Sequence, residues 1–237
     1  MRLAVLLLVM LWALPVQAQS VEIDLGGDTL TLQTVQLLLL LTVLSIAPGL
    51  AIMITCFPFM VTVLAILRQA IGIQQSPPNM LLVSLALFLT WFVMEPVFQT
   101  AWQTGILPMS EGRLSPSEGV LTALEPFRVF MSARVNPDFL QMLADAAPEQ
   151  SLDAGEPELP LLIPAFLLTE IQRAFEVGFL IFLPFLVIDL VIAAILMSLG
   201  MMMVPPVVVS LPFKLAFFVM ADGWTMLAGA LVTGYAT

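Results

Sequence analysis

The spacing of charged positions divides this chain into three zones. No charge occurs between Asp28 and Arg68, residues 77–102 and 161–237 carry few, and residues 105–160 hold most of the acids. A bilayer span needs ~20 apolar residues, so the first uncharged stretch is too long for one perpendicular helix. Pro48, Gly49 and Pro58 predict kinks within it. A second apolar helix is predicted from Pro77 to about Trp102, with Ser76 as its N-cap. Gly72 and Gly200 each close an apolar helix, and Pro77 with Pro78, or Pro205 with Pro206, opens the next at the same spacing. The pattern predicts an all-α integral membrane protein with two long kinked helical hairpins. The first covers about residues 31–102 and turns at Gly72, Pro77 and Pro78. The second covers about residues 161–237 and turns at Gly200, Pro205 and Pro206.

The acidic zone between them reads differently. Ser115-Pro116-Ser117-Glu118 is a capping box with proline at the first helical position. Val120, Leu124, Phe127 and Met131 then share one face of the helix that it opens. Asn136-Pro137-Asp138 starts a second short helix with Phe139, Leu143 and Ala147 along one side. Both helices are amphipathic, suited to packing on neighbours or resting on a membrane surface. Residues 148–160, rich in Pro, Glu and Asp, read as a linker. At the other end, residues 1–18 have the form of a cleavable signal peptide. Arg2 precedes an apolar core from Leu3 to Leu14, Pro15 breaks it, and Val16 and Ala18 occupy the small-residue cleavage positions. Cleavage there starts the mature chain at Gln19, on the outer side of the membrane, and leaves a single membrane domain, residues 19–237.

Composition sharpens this picture. Hydrophobic types make up 60% of the 237 residues and charged types only 10%, far from the roughly 25% charge of soluble domains. The formal charge of −10 argues against nucleic acid as a partner. The chain has no histidine and one cysteine, Cys56, so histidine triads, histidine-ligated metals and an intramolecular disulfide are excluded. No nucleophile elbow, phosphate loop or metal-ligand cluster occurs, and no cofactor is predicted. Asp189 and Asp222 lack the Gly-x-Gly-Asp setting of an intramembrane aspartyl protease. The sequence predicts no enzyme.

Charges inside apolar sequence are costly and face protein or water. The candidates are Arg68, Glu95, Glu170, Arg173, Glu176, Asp189, Lys214 and Asp222, with Glu170 and Arg173 spaced to pair on one helix face. The last six are the candidates for a buried charge network. They can serve either as a proton or ion relay or as salt bridges that fix helix register and subunit contacts. A secondary transporter with broken helices and midplane charges competes at this stage with a multi-copy channel subunit.

Three long stretches carry a resemblance. Residues 200–206 (GMMMVPP) followed by residues 210–224 (SLPFKLAFFVMADGW), residues 164–179 (PAFLLTEIQRAFEVGF) and residues 67–79 (LRQAIGIQQSPPN) resemble the FliP family of flagellar type III export-gate proteins. The homologous virulence-type secretion subunits share much of the pattern. The resemblance implies a non-enzymatic channel subunit of the bacterial inner membrane, at the flagellar basal body. It implies a pentamer that assembles with FliQ and FliR beside other export-gate membrane subunits and passes unfolded flagellar proteins. It also implies hairpins lifted toward the periplasmic side rather than a plain four-span bundle. The family usually has a basic residue after the first kink, where this chain has Pro58-Phe59-Met60. Met201, Met202 and Met203 follow Gly200 on a tight loop. Copies arranged about a common axis, as the resemblance implies, bring these residues together as a ring of flexible thioethers that gates the pore.

Overall fold

The computed structural model describes residues 32–72, 78–146 and 157–236, all helical or turn with no strand among them. The signal-peptide expectation, Ser76, Pro77, Ala147 and most of the acidic linker lie outside the described residues. The chain divides into two compact units, residues 1–45 and 46–237. The described part of the first unit is the start of helix α1 (Leu32–Met53), whose apolar side chains from Val35 onward are exposed and whose Thr42 and Ser45 hydroxyls donate back to their own helix at 2.8 Å.

In the second unit the first hairpin consists of α2 (Phe57–Ile71) and α3 (Asn79–Ala101). Helix α1 runs on through Pro48 and Gly49 and ends at Met53, so the break falls at residues 54–56 instead. There the Thr55 hydroxyl donates to the Ile52 carbonyl at 2.6 Å and accepts from the Phe57 amide at 3.3 Å. Pro58 stands in the first turn of α2, where its missing N–H leaves nothing unpaired. Helix α3 is capped by Pro78 and begins at Asn79, two residues later than the predicted start with Ser76 as cap and Pro77 as first residue. Beyond Ala101 it continues as a π-helical turn, Trp102–Ile106, into the short α4 (Leu107–Ser110). The acidic segment gives α5 (Pro116–Ser132) and α6 (Pro137–Ala146). The second hairpin is α7 (Leu159–Ser198), α8 (Pro206–Met220) and α9 (Gly223–Ala236).

The core forms around α2. Met60, Val63, Leu64, Leu67 and Ala70 recur at helical spacing and are buried against Ala86 and Met94 of α3, Ala174 and Phe185 of α7, Phe218 of α8 and Leu231 of α9. A smaller cluster joins Met131 of α5 to Leu162 and Phe166 of α7. On α5 the predicted apolar face is graded: Met131 is buried, Leu124 and Phe127 are half-buried, and Val120 is exposed. Two glycines set the fit of α5 against the π turn and α4. A Cβ on Gly105 would lie 2.5 Å from the Ala123 amide nitrogen, and one on Gly119 would lie 2.7 Å from the Met109 Cβ.

Among the described residues two helices are long and apolar enough to cross a membrane, Asn79–Ser110 and Leu159–Ser198. Two bent pairs, Leu37–Met53 with Phe57–Ile71 and Pro206–Met220 with Gly223–Tyr235, raise the number to four if each pair counts as one span. The second pair bends by 63°. At about 1.5 Å per residue, the 40-residue α7 is about twice as long as the ~30 Å hydrocarbon layer is thick.

Two expectations test this packing. Gly105→Ala forces the Ala123 backbone aside and should lower the melting temperature in detergent, a loss of roughly 1–3 kcal/mol. Gly229→Ala, whose Cβ meets nothing within 4 Å, should be neutral or stabilise by up to about 1 kcal/mol. Equal effects of the two would refute the close-approach account. The second concerns the cap of α5. The Glu118 amide hydrogen bonds the Ser115 hydroxyl at 3.3 Å, and the Ser115 amide bonds the Glu118 carboxylate at 3.1 Å. The Ser115 hydroxyl, then its amide, hold the Glu118 carboxyl below the usual carboxylate range. The folded pKa is therefore depressed, so the cap contributes fully above the unfolded value and is lost as pH falls through the folded one. Amide exchange in the first turn of α5, corrected for intrinsic rates, should speed up below about pH 4, and Glu118→Gln should abolish that dependence.

Candidate functional site

The tip of the second hairpin is a Schellman turn. Gly200 takes the left-handed conformation, φ +76°, its amide donates to the Met197 carbonyl at 3.1 Å, and the Met201 amide donates to the Leu196 carbonyl at 2.9 Å. This closes α7 as a glycine C-cap does. Pro205 then caps α8 and Pro206 begins it. Between these fixed ends Met201, Met202 and Met203 are 45%, 85% and 98% exposed. The first tip is closed likewise by Gly72, φ +86°, whose amide reaches the Arg68 and Gln69 carbonyls at 3.2 and 3.1 Å. There the Arg68 guanidinium hydrogen bonds the Asn79 side chain.

Two separate clusters hold the buried charges. In the first, the Lys214 ammonium, 4% exposed, donates to the Asp189 carboxylate at 2.6 Å and to the Ala70 carbonyl at 2.9 Å. The Ser210 hydroxyl donates to the other Asp189 oxygen at 2.5 Å. Lys214 thus joins α7, α8 and the end of α2, where the last carbonyls of a helix have no partner of their own. Asp189 and Lys214 wall a cavity of about 670 Å³ with Arg68, Asn79 and Val207. In the second cluster, Glu170 of α7 is fully buried. One carboxylate oxygen accepts from the Tyr235 hydroxyl, and the other faces Arg134 at 3.9 Å and Arg173 at 4.0 Å. The Arg134 guanidinium lies 3.8 Å from the Tyr235 ring centroid and donates to the Gly234 carbonyl at 2.7 Å. Burial weakens its hold on its proton, against the Glu170 charge that strengthens it.

Of the six candidates for one buried network, Glu170 and Arg173 fall in one cluster and Asp189 and Lys214 in the other. Glu176 and Asp222 are exposed and belong to neither. Glu176 accepts from Gln172 at 2.8 Å one turn away on an open face of α7. Asp222 turns the chain from α8 to α9 with φ +48° and accepts from Thr225 at 3.1 Å, a turn role that suits a short polar side chain. Sequence reasoning did not single out Ser210, Arg134 or Tyr235. Tyr235 is the only tyrosine in the chain, and a phenol in apolar sequence signals a hydrogen bond to a buried acceptor.

Bilayer-length helices, a broad exposed apolar surface and charges gathered into buried pairs define a polytopic membrane protein that presents its outside to lipid or to other chains. The chain belongs to the FliP family, whose model matches residues 40–231. It is 50% identical over 221 residues to the flagellar biosynthetic protein FliP of Caulobacter vibrioides, covering 92% of this chain and 83% of that one. The protein of the same name from Rhizobium meliloti is 50% identical over 199 residues, covering 83% and 81%. That of Bacillus subtilis is 43% identical over 204 residues, covering 85% and 92%.

The Lys214 cluster predicts an asymmetric mutational pattern. Lys214→Met leaves Asp189 without its cation and the Ala70 carbonyl without its donor, and Asp189→Leu leaves a buried ammonium. Each should cost about 3–5 kcal/mol, while the double substitution should recover a large part of the loss. Proteolytic resistance of the purified chain measures this. Additive losses would show that the pair is not a unit.

Proposed function

We propose that the chain is a channel-forming subunit of the flagellar protein export gate in the bacterial inner membrane. In this reading it conducts unfolded flagellar subunits and performs no catalysis of its own. Family membership and the flagellar names of its relatives support this reading over a secondary transporter. Several copies, five by family resemblance, surround one axis together with the sister subunits FliQ and FliR. The signal peptide is removed after Ala18, and the mature N-terminus lies on the periplasmic side. The turns at Gly72, Pro77, Pro78, Gly200, Pro205 and Pro206 are hairpin tips, and the buried charges fix register rather than carry protons.

The observation that carries the channel reading is the methionine loop. Met202 and Met203 are almost wholly exposed on a turn that the Schellman bonds and two prolines hold at both ends. Among the described residues these two side chains find almost nothing to pack against. A ring of copies turns them toward one another as an apolar constriction. Methionine is unbranched and adapts to varied passing side chains, and an apolar ring dewets when empty.

Replacing Met201, Met202 and Met203 together by Ala should leave assembly intact and make the membrane leak small ions, measured as conductance or dye entry in cells carrying the complex. Replacement by Asp should impair closure further. An assembled Ala variant with unchanged conductance and normal export would defeat the gasket. Processing is tested separately by N-terminal sequencing of the membrane-embedded protein, which should begin at Gln19.

A further inference from the structure

The loop that carries Met201, Met202 and Met203 hangs between α7 and α8, so its place depends on how those two helices are fastened together. Among the described residues the only side-chain hydrogen bonds between α7 and α8 are the two that Asp189 accepts, from Lys214 at 2.6 Å and from Ser210 at 2.5 Å. The two donors differ in reach. Lysine carries its ammonium on a flexible four-carbon stem, so its ion pair is compatible with a range of helix positions. Serine holds its hydroxyl one rotatable bond from the backbone, and aspartate is nearly as short. A Ser210–Asp189 bond therefore fixes the separation and register of the two backbones at that level. Ser210 is fully buried and stands one turn of α8 after Pro206.

Asp189 needs this second donor because it has room to leave. Its side chain is 26% exposed, and it borders the cavity of about 670 Å³ that also opens on Gly72, Phe182 and Val207. A carboxylate held by Lys214 alone can turn into that space and draw the ammonium with it, away from the Ala70 carbonyl. Ser210 closes this path. Its contact with the Val207 carbonyl of its own helix is the longer of its two, 3.2 Å, so its one proton goes to the Asp189 carboxylate. Ser198 is a contrast. It is nearer the loop in sequence, yet it donates to the Ile195 carbonyl of its own helix at 2.7 Å and links α7 to nothing.

We propose that Ser210 is a positioning residue, which sets the place of the methionine turn by pinning α8 to Asp189 of α7. Its consequence for closure rests on the gasket reading of the methionines, whereas its effect on position does not. Removing the hydroxyl leaves no orphan on α8 itself, because the Val207 carbonyl lies within the helix. The loss falls on Asp189, which then has a single donor and open space beside it.

The test uses the full chain with whatever subunits co-purify. Met80→Cys and Met203→Cys, at positions 80% and 98% exposed, carry spin labels on the first hairpin and on the loop, in labelled chains diluted among unlabelled ones. Cys56 is fully buried and stays in place. The distance distribution between the labels reports where the turn sits. A hydrogen bond to a charged group holds an equilibrium about tenfold to one side. Ser210→Ala should therefore raise the ratio of displaced to held distances about tenfold, while the complex still assembles. In cells carrying the complex it should also raise the resting leak of small ions several-fold. Ser198→Ala should match the wild type in both readouts. Unchanged distances in Ser210→Ala would overturn the proposal whatever the leak, as would an equal change in Ser198→Ala. Failure of Ser210→Ala to assemble would assign the hydroxyl to folding and overturn it too. Displaced distances with no added leak would support the positioning role and count against the gasket instead.

Discussion

A lysine ammonium taken into an apolar helical bundle must find both an anion and further acceptors, and Lys214 finds them on two different hairpins. Asp189 supplies the charge from α7, and Ala70 supplies a carbonyl from the last turn of α2. An orphan carbonyl at a helix end is itself in need of a donor, and the cation there also meets the negative end of the helix dipole. One side chain thus meets two needs, and in doing so fixes how far the tip of the first hairpin can slide along the second. The apolar core around Met60, Val63 and Leu64 supplies most of the burial, but apolar contact is tolerant of register. The ion pair is not.

The parts of this fold that the sequence reveals are those written in local chemistry. Gly200 before a double proline, Ser115 three residues before Glu118, and Gly72 after an apolar helix each demand one backbone geometry, and each adopts it. Long-range pairing is not local. Nothing near Glu170 announces that its partners will be Arg134, from the α5–α6 turn, and Tyr235, from the end of α9. Glu176 and Asp222 resemble the buried acids in sequence because both lie in apolar surroundings. They are exposed because one sits on the open face of α7 and the other fills a turn. Pro48 resembles a breaker, yet the break waits for Thr55, whose hydroxyl can satisfy the backbone groups that a break exposes. The π turn at residues 102–106 has only Gly105 as its clue, and the reason for that glycine, the Ala123 backbone, comes from another helix.

The exposed surface of the chain follows a similar logic. Long rows of Leu, Val and Phe on α1, α3, α7 and α8 are open, more than any soluble monomer carries. For a membrane protein such rows meet lipid at no penalty. The exposed polar groups among them are held mostly by their own helices: Glu95 accepts from Gln99 at 3.0 Å, and Thr100 and Thr104 donate to carbonyls one turn back. Such self-contained pairs let a helix face lipid or another chain without a dedicated partner. Met202 and Met203 differ, because they protrude from a turn rather than a helix face and have no such local satisfaction to seek. Their exposure is a matter of shape, which only a further surface can complete.

Exposure along α7 ties these observations together. Glu170 and Asp189 are separated by about 28 Å of helix, so their clusters are independent of each other. In the Glu170 cluster the guanidinium groups stand 3.9 and 4.0 Å from the carboxylate, and 44% of the Arg173 side chain is exposed. In the Asp189 cluster the Lys214 side chain is only 4% exposed. The cations of the two clusters then face different demands. An arginine open to its surroundings can complete its hydrogen bonds outside the chain. A buried ammonium has no such help, and its cluster is the one whose donors and acceptors meet at 2.5–2.9 Å. The loose geometry of one cluster and the tight geometry of the other follow the exposure of their cations.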